Sequence, residues 1–328
     1  MSTSVLFLTE AGEGIGFGHL NRSIALADGF ETFNCEVSFT VRGVENPVIQ
    51  NRTFTEVNEE WFNKEYLEEA IPNFDVVVTD SYQVSENLLN YISEESKTTV
   101  FLIDSQLRHG NRGIILFPSV YAKEYTFHSH NYLKILSGIK YLLYTKEMWN
   151  GLRFEVKKNV KSVGISLGSS SINLTGLRPE LLKDIFPELT QICVFGNLKI
   201  EDYSGRGKVQ INKIGRLNKE KYIAKLQNLD FLISNGGQTL NEALLIGLPV
   251  LPLITADNQL RNVKAWTKKN FVNGLDARAT LDSDEFSTRL RAFEDYNTRK
   301  QFYEKCRNTV DPKGAIRSAK EILKAGTN

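Results

Sequence analysis

Short apolar runs alternate with amphipathic helical segments along almost the whole chain, and no other feature narrows the fold so far. The run Val5-Leu6-Phe7-Leu8 ends in a glycine-rich stretch, and residues 19–30 then carry Leu20, Ile24, Ala25 and Ala27 at helical spacing. The same rhythm predicts strands at 35–41, 74–78, 98–103, 113–117 and 139–144, and helices at 59–71 and 86–95. It resumes with strands at 160–167, 189–195, 208–211, 230–234 and 249–253, and helices at 175–186, 219–227, 238–246, 258–269 and 283–293. Apolar strands interleaved with helices imply parallel sheets covered on both faces. With 328 residues the chain is long enough for two such blocks, and no tandem repeat or low-complexity run interrupts them. The polar, basic stretch 155–159 is the expected linker. It divides the chain into a first domain at 1–154 and a second at 160–310. The last helices, 298–307 and 313–324, are candidates to return to the first domain, with 311–328 as the terminal helical segment.

Composition removes several classes of function. Lys and Arg total 40 and Asp and Glu 39, a net charge of +1, which gives no electrostatic footprint for nucleic acid or an anionic membrane. Cys35, Cys193 and Cys306 are scattered, neither a disulfide framework nor a zinc spacing. No apolar stretch is long enough to span a bilayer, and residues 1–4 lack the basic start of a signal peptide. These features lead us to expect a cytoplasmic protein, favoured as a monomer, with no metal and no cofactor.

Ligands of open parallel sheets bind beyond the carboxyl ends of the strands, so the polar residues there are the candidates. After the first strand, glycines recur at positions 12, 14, 16 and 18, followed by His19. The spacing matches neither the dinucleotide fingerprint nor the P-loop, which argues against a nicotinamide oxidoreductase and a P-loop NTPase. His19 falls where the loop becomes a helix, a position that disfavours protonation and suits a base. It equally suits a histidine that only bonds the neighbouring loop. Arg22, one turn later, would meet an anion or pair with Glu10 or Glu13. In the second half, Ser234-Asn235-Gly236-Gly237-Gln238-Thr239 turns from strand into helix, so that the N–H groups of 236–239 can face a diphosphate. Glu242, one turn inside, would accept ribose hydroxyls or merely complement the helix dipole. Asn258 and Gln259 follow the next strand, where they can bind a ligand or cap a helix. Polar clusters also end the strands at Asp80-Ser81-Tyr82, Asp104-Ser105 and Gly168-Ser169-Ser170. His128 and His130 have the spacing of metal ligands, but no carboxylate or cysteine supports them and surface polarity is the preferred reading.

Taken together, Gly16-Phe17-Gly18-His19-Leu20-Asn21-Arg22, Asp80-Ser81-Tyr82, Ile165-Ser166-Leu167-Gly168, the segment from Ile233 to Ala243, Gly247-Leu248-Pro249 and Ala256-Asp257-Asn258-Gln259 resemble the nucleotide-sugar hydrolases of pseudaminic acid biosynthesis. Those enzymes belong to the GT-B superfamily and are related to the MurG-type glycosyltransferases. The resemblance runs over roughly residues 5 to 270. This chain departs from it at Ser169 and Ser170, at Leu142-Leu143-Tyr144-Thr145 and at the lone Asp104.

The resemblance implies two doubly wound, Rossmann-like domains facing across a cleft, and metal-independent cleavage of a UDP-linked amino sugar with inversion. It implies catalytic roles for His19, Tyr82 and Asn258, with His19 as the base that activates water. UDP would be held by Gly168, Ser169, Ser234, Gly236, Gly237, Thr239, Glu242 and Gln259. The sugar would meet Gly18, Arg22 and Asp80. The alternatives are an inverting GT-B glycosyltransferase with the same donor, and a sugar-nucleotide binding protein without activity. The acidic character of 61–67 speaks against a lipid acceptor, and the presence of His19 and Tyr82 against a mere binder.

Overall fold

The computed structural model describes residues 2–12, 15–43, 55–56, 59–127, 132–150, 154–168, 177–196, 198, 200, 202–205, 207–215 and 217–326. It divides into two compact units, one of residues 1–149 with 312–328 and one of residues 150–311.

The first unit is built on β1 (Ser4–Glu10), α1 (Gly18–Glu31), β2 (Glu36–Arg42), β3 (Thr55–Glu56), α2 (Lys64–Ala70), β4 (Val76–Asp80), α3 (Glu86–Glu95), β5 (Thr98–Leu102), β6 (Gly113–Phe117) and β7 (Tyr132–Ser137). Its seven strands lie in the order β3-β2-β1-β4-β5-β6-β7, and every pairing is parallel. The second unit comprises β8 (Ser162–Ser166), α4 (Pro179–Ile185), β9 (Gln191–Phe195), β10 (Gln210–Ile214), α5 (Lys219–Gln227), β11 (Phe231–Asn235), α6 (Gln238–Ile246), β12 (Val250–Ile254), α7 (Asp257–Lys268), β13 (Leu275–Asp276), α8 (Ser283–Arg291) and α9 (Tyr296–Arg307). Its strand order, β10-β9-β8-β11-β12-β13, is that of a doubly wound sheet, whose direction of winding reverses between β8 and β11. In the first unit the reversal falls between β1 and β4.

The final helix, α10 (Gly314–Gly326), belongs to the first unit. Its Ala315, Ala319 and Ile322 join Leu26 and Phe30 of α1 over Val5, Phe7, Val37, Phe39, Val76 and Val78 of the sheet. The two helices approach so closely at Gly29 that a Cβ there would lie 2.4 Å from the carbonyl oxygen of Ala315. By contrast, α9 stays in the second unit and packs on α6.

Each reversal is held by the same latch at the amino ends of its two strands. Asp75 Oδ2 accepts from the backbone N–H and the hydroxyl of Ser4, at 3.0 and 3.1 Å. The Asp75 N–H returns a bond of 3.0 Å to the Ser4 carbonyl. In the second unit Asp230 Oδ2 accepts from the N–H and hydroxyl of Ser162, at 2.9 and 3.0 Å, and its N–H bonds the Ser162 carbonyl at 3.0 Å. A lysine completes each, Lys97 on Asp75 at 2.9 Å and Lys157 on Asp230 at 2.8 Å.

Several local expectations are corrected. The segment 59–71 is not one helix: a 3-10 turn at Glu59–Phe62 precedes α2, which Asn63 caps by accepting from the Glu65 N–H. A second 3-10 turn, Ile71–Asn73, contains Pro72. The expected strand at 139–144 is absent. The strand there is β7, and Gly138, at φ +97°, breaks it into a 3-10 turn at Ile139–Tyr141. Leu142, Leu143 and Tyr144 are buried nonetheless, because the start of α10 packs against this turn and brings Gly314 onto the Leu142 carbonyl. The stretch 155–159 is no loose linker either. Arg299, almost wholly buried, donates to the carbonyls of Lys157 and Lys158 at 3.1 and 2.7 Å. Among the described residues, no helix is long and apolar enough to cross a membrane.

The Ser4 N–H and then the Lys97 ammonium depress the Asp75 pKa to about 2, below the value near 3.9 of an unfolded Asp. The carboxylate therefore stabilises the fold above about pH 4, and that contribution is lost as the pH falls from there through 2. Thermal melts of the protein and of Asp75→Asn should differ at pH 6 and draw together as the pH falls from about 4 through 2. A constant difference over that range would exclude a charge-dependent latch.

Candidate active site

At the reversal of the first sheet, Thr9 lies beside Asp80 in register, so the carboxyl ends of β1 and β4 are adjacent. Gly12 and Gly16 bond to each other across the loop, N–H to carbonyl at 3.1 and 2.8 Å. Their φ values, +133° and +81°, are in the left-handed region that glycine tolerates. These two glycines thus shape the loop instead of presenting N–H groups to a ligand. The loop delivers Gly18 as the first residue of α1, with no acidic residue in the first turn.

His19 follows, buried at 4% exposure, with its ring edge-on to Tyr82 at 4.3 Å between centroids. Its Nδ1 is 2.6 Å from Asp80 Oδ1 and 3.0 Å from Arg22 Nη2. An arginine only donates and an ionised carboxylate only accepts. The short contact to Asp80 is a hydrogen bond when Nδ1 carries the hydrogen, and in that tautomer the lone pair is on Nε2. Glu10 Oε1 lies 3.8 Å from Nε2.

Arg22 lies one turn further along α1. Its Nε donates to Asp80 Oδ2 at 2.6 Å, Nη2 bonds Asp80 Oδ1 and Nη1 bonds Asp104 Oδ2. This differs from the expected partners. Glu10 is occupied by the Ser81 hydroxyl and the Tyr82 N–H, both at 2.8 Å, and Glu13 lies outside the described residues. Burial alone would lower the Arg22 pKa, but the carboxylates of Asp104 and Asp80 outweigh it and keep the guanidinium charged. Burial would likewise raise the Asp80 pKa, yet Arg22 and then His19 hold it below the ordinary value. The Tyr82 hydroxyl donates to Asp104 Oδ2 at 2.5 Å. Burial, followed by the Asp104 charge, pushes this phenol well above its usual pKa, so Tyr82 is neutral. Arg22 and Asp80, expected to meet a sugar, are therefore engaged with each other, and Asp80 orients His19.

At the reversal of the second sheet, β11 ends in Asn235 and α6 begins at Gln238. Two of the N–H groups expected to face a ligand are occupied within the turn. The Gly236 N–H bonds Gln259 Oε1 at 3.2 Å and the Gly237 N–H bonds Asn235 Oδ1 at 3.2 Å. Gln259 also accepts from the Thr255 N–H at 2.9 Å, so it ties the β11–α6 turn to the end of β12. Asn262 Nδ2 adds a bond to the Gly236 carbonyl at 2.8 Å. Ser234 is wholly buried, and its hydroxyl turns back to the Asn235 carbonyl at 2.9 Å. Gly168, at φ +69°, leaves 2.9 Å between Asn235 Nδ2 and the place a Cβ would take, so a larger residue there would crowd the turn.

Thr239 accepts from the Tyr222 hydroxyl at 3.4 Å. Glu242 is buried at 3% exposure and forms an ion pair with Lys219. Asn258 stands exposed in the first turn of α7. Ser169, His128 and His130 lie outside the described residues. Among the described residues, no group of three or more His, Cys, Asp or Glu side chains is placed to hold a metal ion.

Sequence reasoning named Asp104 only as a strand-end residue and Glu10 only as a candidate partner of Arg22, gave neither a role in the first site, and missed Lys219 of the second. The strand-end rule places Glu10 and Asp104 but does not show what they bond. Lys219 carries no such signal.

No protein-family model matches the chain. An uncharacterized protein of Methanocaldococcus jannaschii is 25% identical over 289 residues, which cover 81% of this chain but 58% of that protein. The UDP-2,4-diacetamido-2,4,6-trideoxy-beta-L-altropyranose hydrolase of Campylobacter jejuni is 24% identical over 278 residues, 81% of this chain and 97% of the hydrolase. Among solved structures, MurG of Acinetobacter baumannii superposes with a TM-score of 0.67 at 14% identity, over 98% of this chain and 99% of MurG. UGT89C1 of Arabidopsis thaliana, complexed with UDP-L-rhamnose, superposes with a TM-score of 0.63 at 12% identity, over 99% of this chain and all of that one. The fold is thus the two-unit α/β architecture of the GT-B glycosyltransferases, and the sequence resembles the Campylobacter hydrolase.

Removing Arg22 would leave the buried Asp80 and the half-buried Asp104 without their shared cation. Arg22→Met should destabilise the first unit by about 3–5 kcal/mol, read as a lower urea midpoint. An unchanged midpoint would show that the cluster contributes nothing to folding.

Proposed function

We propose that the chain is a UDP-sugar hydrolase that breaks the anomeric C–O bond and releases UDP and the free sugar, with a UDP-linked amino sugar of pseudaminic-type acid biosynthesis as substrate. The observation that carries this reading is the buried His19–Asp80 pair at the switch point of the first sheet, with Nδ1 held by the carboxylate at 2.6 Å and Nε2 left as the base.

In this reading water attacks the anomeric carbon and gives its proton to His19 Nε2. The C–O bond to the β-phosphate breaks, its electron pair leaves with UDP, and configuration inverts. Asp80 stabilises the imidazolium that forms, and Arg22 keeps Asp80 ionised and in place. Tyr82, neutral and fixed by Asp104, packs its ring against the imidazole and holds the base in position. A base so placed contributes about 10²–10⁴-fold. UDP is held by the second unit: Glu242 takes ribose hydroxyls, the amino end of α6 with Thr239 faces the diphosphate, and Asn258 at the start of α7 stabilises the leaving group. Gly168, Gly236, Gly237, Ser234 and Gln259 shape that turn.

A glycosyltransferase is the second reading, favoured by the likeness in fold to MurG and UGT89C1. The same base would then deprotonate an acceptor hydroxyl in place of water.

Incubation with UDP-linked amino sugars and no acceptor should release UDP. His19→Asn should slow that release by ~10²-fold or more and leave the UDP affinity, measured by calorimetry, unchanged. Release of UDP only when an acceptor is added would assign a transferase. Loss of both turnover and UDP affinity would make His19 a structural residue.

A further inference from the structure

We infer that Lys219 is a positioning residue of the nucleotide site, which holds the Glu242 carboxylate in the orientation that reads the ribose of a nucleoside diphosphate. The inference rests on the reading of Glu242 as the ribose contact.

Lys219 is the first residue of α5, capped by Asn218 through the Lys221 N–H at 2.9 Å. A cation at a helix amino terminus opposes the helix dipole, so local preference does not explain a lysine there. Its partner does. The ammonium pairs with Glu242 Oε1 across to α6, and the side chain lies over the Tyr222 ring, 5.4 Å from the centroid. Tyr222 in turn donates to Thr239 Oγ1, so the first turns of α5 and α6 are joined by two adjacent contacts. Burial and then the Glu242 charge push the Tyr222 phenol well above its ordinary pKa, and it remains a neutral donor.

Glu242 is 3% exposed, and a carboxylate so buried needs a paired cation. Lys219 supplies it while its own side chain stays 27% exposed. With Lys219 on Oε1, one lone pair of Oε1 and both of Oε2 remain to accept hydroxyls. A 2′,3′-diol presents two donors to one carboxylate, which suits a carboxylate fixed in a single rotamer. A carboxylate released from Lys219 would turn towards water and lose the paired geometry.

The test compares the affinities of UDP and 2′-deoxy-UDP. The unaltered protein should prefer UDP by roughly tenfold to a hundredfold, the value of a hydrogen bond to a charged group. Lys219→Met should reduce that preference to near unity, chiefly by weakening UDP, and Lys219→Arg should restore most of it. Lys219→Gln keeps a donor without the charge and should lie between them, so a folding failure of the Met variant leaves the comparison intact. Equal weakening of both nucleotides would overturn the inference, because it marks a diphosphate contact or general damage. An unaltered preference in the Met and Gln variants would overturn it while leaving Glu242 as the ribose contact. A native protein that binds both nucleotides equally would overturn the ribose reading, and this inference with it.

Discussion

Each sheet depends on one parallel pairing, that of its first strand with its fourth. At that pairing the direction of winding reverses, and the ends of the crossing strands diverge to leave room for polar side chains. The chain secures it twice in the same way. A serine opening the first strand is latched by an aspartate opening the fourth, Ser4 by Asp75 and Ser162 by Asp230. The latched residues are 71 and 68 positions apart, so the latch fixes register over a long loop closure. A slip of one residue would turn every apolar side chain of a strand to the opposite face. It would also separate Asp80 from Thr9, and with that from α1.

The chemistry of the first unit follows from that register. Because β1 and β4 end together, the helix after β1 and the carboxylate closing β4 meet. His19, Arg22 and Ser23 of α1 all reach Asp80. Arg22 is shared between Asp80 and Asp104, and Tyr82 is tied to Asp104, so the ends of β1, β4 and β5 form one charged network. Burying two carboxylates, Glu10 and Asp80, beside the half-buried Asp104 is tolerable because each accepts directed hydrogen bonds. In the second unit the corresponding turn uses amides. Asn235 stands where Asp80 stands, five residues after the latching aspartate, and with Gln259 and Asn262 it braces a glycine turn, whereas Asp80 bonds His19 and Arg22.

The strand-end rule made much of the site legible. His19, Asp80, Tyr82, Glu242 and Asn258 could be nominated because each follows or ends an apolar run. Partners were harder to read. Arg22 looked equally able to reach Glu10 or Glu13, and nothing in a linear reading shows that Glu10 is occupied by Ser81 and Tyr82. Gln259 read as a ligand contact, whereas its Oε1 closes the turn around Gly236. The repeated latch went unseen because only a serine and an Asn-x-Asp, at Asn73-Phe74-Asp75 and Asn228-Leu229-Asp230, carry it.

The sequence by itself determined the class of fold. Strand-length apolar runs and helical periodicity are local properties, and burial on both faces leaves parallel, doubly wound sheets as their outcome. It also determined which polar residues stand at strand ends. The tertiary structure alone decided which charges pair: Arg22 with residues 58 and 82 positions away, and Lys219 with Glu242 across two helices. It decided too that 142–144 would be buried without being a strand, since that burial comes from α10, which begins at Gly314. These contacts depend on strand register and helix packing, which set distances between residues far apart in the chain, and no local pattern of side chains encodes a distance.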